Sequence, residues 1–418
     1  MTIKTASRWN VKTVGGYPVR AFERELIRSG KKVLNLTAGD PSVWGFINQP
    51  LSKHLVEAAE QGWHTYGGRA NDLGLGTSPP LPTQLRNAIV AFEKSERGND
   101  FEPKNIFYGG GCAGAILMVH MALLEEGDEV VTFDPAHYLV GPTNYFPYFK
   151  SKVIPCRSIE EDDWRPDLDE LREKIGKRTK LVVINNPNNP TGAVYNEKTL
   201  KEIVDIAGEY ELPIMSDEIY SSITFDGVVA KSTADVAEDI PVIVVNGLAK
   251  LFMRTGWKVG YVAFHDPEEK MKELISTTDK VWRLYGGQRR SMPTPILYAA
   301  IKAFQGSMDA GREFVRGVKS RRDYSMKRIN EIDGLNCIDP KGTFYVFPRI
   351  ETVGEEKTWK SEVDFLLELA KEKHVTFDAG SVYGKHGFGH FRAVTLPKID
   401  ILEDAYNRIE KFMLEHAN

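Results

Sequence analysis

The stretch VIVVNGLAKLFMRTGWKVGY, residues 242–261, decides the fold. Val242–Val245 is β-branched and apolar throughout, the pattern of a short strand buried on both faces. Asn246-Gly247 ends the run, and Lys250 stands three residues beyond it. A second apolar run, VGYVAF, begins at Val259. Working outward, the same kind of run recurs as NIFYGGG, EVVTFDP, KVIPC, KLVVINNP and LPIMSDE. Helical stretches such as AGAILMVHMALLEEG and NEKTLKEIVDIAGEYE separate them. Short continuous strands alternating with helices predict a mostly parallel, seven-stranded sheet between helices, an α/β fold. This large domain is expected over residues 50–300. Residues 301–418 read as a connector helix followed by a smaller α+β domain, with strands at CIDPKGTFYVFPRI and HFRAVTLPKID. Residues 1–49 read as an N-terminal segment that packs with the small domain. Within it YPVRAFERELIRSG predicts a helix with Pro18 in its first turn, Val19, Phe22 and Leu26 on one face, and Gly30 as its stop.

A length of 418 residues exceeds one ordinary core, so two domains are expected. Hydrophobic residues make up 42% and charged residues 27%, the balance of a globular protein. The net charge of −4, with both signs dispersed, argues against nucleic acid or an anionic membrane as partner. Cys112, Cys156 and Cys337 are widely spaced and form no metal-type cluster, so no metal site is expected. Such cysteine usage fits a reducing compartment. MTIKTASRWNVK carries no apolar leader-like run. The expectation is a cytoplasmic protein.

In open parallel sheets, ligands bind beyond the carboxyl ends of the strands. Those ends present Gly111-Cys112-Ala113-Gly114 opening a helix, His137 and Tyr138, Asn188-Asn189-Pro190-Thr191-Gly192, Asp217 with Tyr220, and Lys250. Singly, each has a plain structural reading as a tight helix start, a turn, a cap or a solvated amine. Together they suit one ligand. A lysine forms a Schiff base with an aldehyde. Pyridoxal phosphate offers that aldehyde, with a ring nitrogen for a carboxylate, a phenolic oxygen for an amide, a face for a ring and a phosphate for helix-start amides.

The motifs TAGDPS, GGGCAGAI, NNPNNPTG, SDEIY, LAKLFMRTGWKVGY and HFRAVTLP occur in this order between residues 37 and 397. Through them the chain resembles the fold-type I, pyridoxal-phosphate-dependent class I/II aminotransferases, most closely those of alanine-aminotransferase type. The resemblance implies that Lys250 is the Schiff-base lysine and that Asp217 faces the pyridine nitrogen. It implies that Tyr220 and Asn189 hold the phenolic oxygen. Gly111, Cys112 and Ala113 match the phosphate-binding helix start. His137 falls at the stacking position, with Tyr138 as the alternative. Tyr66 resembles a tyrosine that reaches the phosphate of the neighbouring subunit, so a homodimer with shared active sites is implied. Arg392 and Gly39 match the contacts to the substrate carboxylate. Lys258 stands where the family usually has arginine, and Gly247 and Ala249 where it commonly has hydroxyl residues, which leaves the role of nearby Arg254 open. The implied reaction is ping-pong transfer of an amino group from an L-amino acid, alanine as the first expectation, to 2-oxoglutarate or pyruvate. Aspartate, aromatic or branched-chain donors, or a lyase reaction, are the alternatives. Arg289 and Arg290, in GGQRRSMPTP, are candidates for the second carboxylate of 2-oxoglutarate. Other classes fit less well. No GxGxxG of dinucleotide type follows an early strand, and the residues ahead of the α/β core leave little room for the DNA-binding domain of a non-catalytic regulator.

Overall fold

The computed structural model describes residues 17–63, 80–137, 146–284 and 292–416. Strands form where the apolar runs fall. In chain order they are β1 (Leu34–Asn35), β2 (Ile106–Tyr108), β3 (Glu129–Asp134), β4 (Lys152–Ile159), β5 (Arg165–Pro166), β6 (Thr179–Asn185), β7 (Ile214–Asp217), β8 (Val242–Gly247), β9 (Gly260–His265), β10 (Leu335–Asn336), β11 (Tyr345–Val346), β12 (Arg349–Ile350), β13 (Val375–Thr376), β14 (Asp378–Ala379) and β15 (Phe391–Val394).

The large sheet has the order β2-β9-β8-β7-β6-β3-β4-β5. Strands β4, β3, β6, β7 and β8 run parallel; β9 is reversed against both β8 and β2, so the edge strand β2 shares the direction of the parallel set. These are the seven strands expected; the two-residue β5 extends the other edge. Every residue of β7 and β8 is buried, which is why neither shows a polar–apolar alternation. The helix Glu197–Glu209 shows how the crossovers are written. Asn196 caps it by accepting from the Thr199 N–H at 2.9 Å, and Leu200, Ile203, Val204 and Ala207 form its buried stripe.

Beyond the 23-residue helix Asp309–Glu331, the chain forms small sheets: β10 with β12, and β11-β15-β14. The N-terminal stretch joins this part. Strand β1 pairs in parallel with β13, and the helix Pro18–Arg28 packs on the helix Glu362–Lys373. The apolar face foreseen for the first helix is only partly what anchors it. Val19 is buried, whereas Phe22 and Leu26 are half-buried. The deepest polar residue is Glu23, which accepts from Asn35 Nδ2 at 2.5 Å and Thr376 Oγ1 at 3.1 Å. Among the described residues no helix is long and apolar enough to cross a membrane.

The glycine at 247 has a packing reason. It sits opposite Gly260 in the β8–β9 ladder, and a Cβ there would overlap Val259 O and lie 2.8 Å from Gly260 Cα. A Cβ on Gly260 would in turn collide with the Cys112 backbone. The start of the helix Gly111–Leu123 is thus pressed onto the β8–β9 edge, and a hydroxyl side chain at 247 has no space. Gly247→Ser should therefore cost about 1–3 kcal/mol of stability, read as a lower midpoint in denaturant melts. An unchanged midpoint would mean that the edge yields freely.

Candidate active site

Strand register sets the floor of the site. Asn185, Asp217 and Val245 are direct neighbours across β6, β7 and β8. Each chain then leaves the sheet carrying one of the residues singled out above.

After β6 the NNPNNPTG turn is held by its own amides. Asn189 N–H donates to Asn185 Oδ1 at 2.8 Å, Thr191 Oγ1 to Asn188 Oδ1 at 2.9 Å, and Tyr195 N–H to Asn186 Oδ1 at 2.8 Å. Gly192 adopts φ +73° with its α-carbon against Pro340, so only glycine fits. This fixes Asn189, buried, with its Oδ1 accepting from Arg392 Nη1 at 3.0 Å. After β7, Asp217 is buried and accepts from the Ile219 N–H at 3.2 Å. Tyr220 is buried with its hydroxyl 3.0 Å from that of Tyr345. After β8, Lys250 is half-buried, and its Nζ donates to Gly39 O at 2.8 Å. The same Nζ stands 5.7 Å from the centre of the Tyr220 ring and 5.5 Å from that of Phe344.

The helix start lies beside them. Gly110 and Gly111 take φ of +58° and +71°, and the Gly111 N–H donates to Lys258 O at 2.6 Å. Lys258, itself left-handed and exposed, runs its side chain past Gly111. Cys112 Sγ donates to Asn246 O at 3.4 Å. Burial raises the Cys112 thiol, the Asp217 charge adds to this, and Lys250 opposes it. The carboxylate, the amine and the helix start therefore share one space. Arg254 points elsewhere: it is buried, donates to Asn48 O, and reaches Ser52 Oγ at 2.8 Å.

Arg392, on β15, is buried between the rings of Tyr345 and Tyr383, 4.3 and 5.1 Å from their centres. Its Nη2 donates to Thr37 O at 3.0 Å and Asp378 Oδ2 at 2.7 Å. Its Nε is buried without a hydrogen-bond partner among the described residues. That leaves a donor on a guanidinium that is otherwise locked in place, the condition for capturing a carboxylate from outside. Burial acts to lower the basicity of Arg392, but Tyr383 and Asp378 outweigh it and hold the group charged.

The TAGDPS segment thus aims two carbonyls into the site, Thr37 at Arg392 and Gly39 at Lys250. A Cβ on Gly39 would overlap the Tyr345 hydroxyl, so the segment can lie this close only as glycine. His137 follows β3, with its N–H donating to Asn189 O at 2.9 Å. Burial, with Arg392 and Lys250 acting the same way, pushes its imidazole down to about 3.

The geometry brings Gly39, Gly111, Cys112, His137, Asn189, Asp217, Tyr220, Lys250, Lys258 and Arg392 around one space, with Ala113 in the first turn of its helix. Tyr66, Tyr138, Arg289 and Arg290 lie outside the described residues. Sequence reasoning missed Tyr17, Arg20, Tyr345, Asp378 and Tyr383. Arg20, on the first helix, grips Asp378 with Nε at 2.6 Å and Nη2 at 2.5 Å, and Tyr383 donates to the same carboxylate at 3.1 Å. The one local signal was Asp378 itself, a lone acid in the apolar run VTFDA.

This donor set fits a phosphorylated pyridine aldehyde. Asp217 suits a protonated ring nitrogen, Tyr220 and Asn189 a phenolic oxygen, the helix start with Lys258 a phosphate, and Lys250 the aldehyde carbon.

Comparison with known proteins agrees. Residues 31–405 match the model of the family "Aminotransferase class I and II". The glutamate-pyruvate aminotransferase AlaA of Escherichia coli (strain K12) is 31% identical over 400 residues, covering 95% of this chain and 94% of that protein. Aromatic-amino-acid aminotransferase 2 of Thermococcus litoralis is 34% identical over 396 residues, covering 94% of each. An alanine aminotransferase structure from Pyrococcus furiosus superposes with a TM-score of 0.87 at 40% identity, covering 99% of this chain and 100% of that one.

The depressed imidazole gives a pH test. An ordinary histidine titrates near 6.5, so the unfolded chain takes up a proton that folded His137 refuses until about pH 3. Its stabilising effect is complete above 6.5 and is lost as pH falls below it. Between pH 7.5 and 5.0, cofactor-free wild-type protein should lose about 2 kcal/mol more stability than His137→Phe. Equal losses in denaturant titrations at the two pH values would show that the imidazole is not held neutral.

Proposed function

We propose, from the premise that this chain belongs to the class I and II aminotransferases, that it uses pyridoxal 5'-phosphate to exchange amino groups between alanine and 2-oxoglutarate. The observation that carries the substrate reading is the convergence of two guanidiniums, Arg392 and Arg20, on one buried carboxylate, Asp378, beside the site. Alanine and pyruvate carry one carboxylate and need Arg392 alone. Glutamate and 2-oxoglutarate carry a second, for which Arg20 is a cation within the described residues. The name of the Escherichia coli relative gives glutamate and pyruvate, and that of the Pyrococcus furiosus relative gives alanine, in line with this reading. The Thermococcus litoralis relative, similar at a comparable level, shows that identity alone does not choose among donors.

When bound, the cofactor supplies an aldehyde for amine exchange and a ring that accepts the electron pair left by a broken Cα–H bond. The chain's own residues do the rest. Cys112, Ala113 and Lys258 would hold the phosphate, Tyr220 and Asn189 the phenolic oxygen, and Asp217 would keep the ring nitrogen protonated. His137, neutral, would lie against the ring. Arg392 fixes the substrate carboxylate and so the direction of the Cα–H bond. Lys250, once the substrate amine has displaced it, would be the base for the Cα proton, with Gly39 O within reach of its Nζ. Burial of Asn189, Asp217, Tyr220 and Arg392 keeps water from this transfer.

A homodimer in the cytoplasm, with Tyr66 reaching the partner's phosphate, belongs to the same reading. So does the division at residues 50 and 300, supported by the pairing of β1 with β13.

Single-turnover absorbance changes of the cofactor-loaded protein test the reading. Alanine and glutamate should each convert it to the amine form, and aspartate, phenylalanine and leucine far more slowly. Lys250→Ala should slow conversion by more than about 100-fold. Conversion by aromatic or aspartate donors and not by alanine would overturn the substrate assignment.

A further inference from the structure

The acid between the two arginines has no part in the mechanism above. Asp378 on β14 lies directly opposite Arg392 on β15, in register, and its side chain is wholly buried. Arg20 comes from the first helix, and its side chain keeps 32% of its exposure. The strand residue cannot withdraw; the helix residue can swing. Arg20 holds Asp378 through two parallel N–H···O bonds, the strongest form of guanidinium–carboxylate pairing. Burial acts to lower the basicity of Arg20 and the Asp378 bonds more than reverse it.

The charges can be counted. Arg20, Arg392 and Asp378 together leave one net positive charge. Among the described residues, His137 beside this cluster is neutral, and Lys250 is engaged by the cofactor in the loaded protein. One substrate carboxylate balances the cluster. A dicarboxylate overfills it: three carboxylates then face two guanidiniums, and Arg20 must first leave a bidentate partner. Tyr383 and Arg392 would remain as the bonds to Asp378.

We infer that Asp378 determines substrate choice by acting as a built-in competitor for Arg20, standing in for a second substrate carboxylate and biasing the site toward monocarboxylates. The inference rests on the carboxylate-binding role of Arg392 and Arg20 proposed above. Specificity of this kind comes from a repulsive element as much as from an attractive one. Without the acid, the same two arginines would form a strong dicarboxylate site. The plain alternative is a strut that ties the first helix to the C-terminal strands. A strut affects stability and leaves the ratio of ligand affinities alone.

The test is calorimetric titration of cofactor-loaded protein with propionate and with glutarate, neither of which can turn over. In Asp378→Asn the oxygen that Arg392 and Tyr383 use is retained and the charge is gone. The preference for glutarate over propionate should rise by about tenfold, the scale of a partly exposed charge pair. In Arg20→Gln glutarate should bind no better than propionate. In the double variant the gain from Asp378→Asn should vanish, which identifies Arg20 as its cause. Thermal melts show whether each variant is folded. Should Asp378→Asn fail to fold, Arg20→Lys serves instead. It keeps the charge, loses the bidentate grip, and should also shift preference toward glutarate. A folded Asp378→Asn or Arg20→Lys variant with an unchanged or lowered glutarate preference would overturn the inference. Two acids that bind as described, with alanine failing as donor, would sink the proposed substrates and leave the role of Asp378 standing. If neither acid binds the wild-type protein, both fall.

Discussion

The site depends on one register. Asn185, Asp217 and Val245 stand side by side across three parallel strands, and Asn189, Tyr220 and Lys250 follow at fixed short distances. Because side chains alternate along a strand, a slip of one residue in β7 would turn Asp217 to the opposite face of the sheet. The register is protected from behind. Glu218, next to Asp217, accepts from Ser232 Oγ at 3.0 Å and the Thr233 N–H at 2.9 Å, and pairs with Arg97. Arg97 also pairs with Glu93 at 3.4 Å, and Glu93 accepts from the Tyr261 hydroxyl on β9. Removing one member of such a buried ionic set leaves an uncompensated charge, at a cost of about 3–5 kcal/mol. The network therefore locks β7 against its neighbours at the residue that carries Asp217.

The Arg392 side of the site is assembled from the two ends of the chain. Thr37 and Gly39 supply carbonyls, Arg392 and Asp378 come from adjacent strands, and Arg20 reaches across from the first helix. The two halves meet at Tyr345. Its hydroxyl touches that of Tyr220, its ring lies under Arg392, and its bulk requires glycine at 39. A change in the carboxylate cluster is thereby one contact away from the residue assigned to the phenolic oxygen.

The large sheet was legible in the sequence because buried parallel strands leave continuous apolar runs, and the crossover helices leave periodic stripes and caps. The residues at the strand ends were legible for the same reason: Asp217, Asn189 and Lys250 follow directly on such runs. What could not be read is long-range. Arg20 lies 358 residues from Asp378, on a helix whose other arginines, Arg24 and Arg28, are exposed, and nothing near it in the sequence distinguishes it from them. The apolar face foreseen for that helix was diluted because Glu23, and not Phe22 or Leu26, is buried beside Val19. Gly247 looked like a missing hydroxyl; its reason is the crowding of β8, β9 and the helix start, which no local pattern reveals.

The central claim is that the β8 register delivers Lys250, and no other lysine, to the cofactor's aldehyde. Borohydride reduction of the loaded protein, followed by peptide mass mapping, tests it most directly. A phosphopyridoxyl mass is expected on the peptide that contains Lys250, with Lys258 unmodified. The mass on Lys258 or on any other lysine, with Lys250 unmodified, would contradict it.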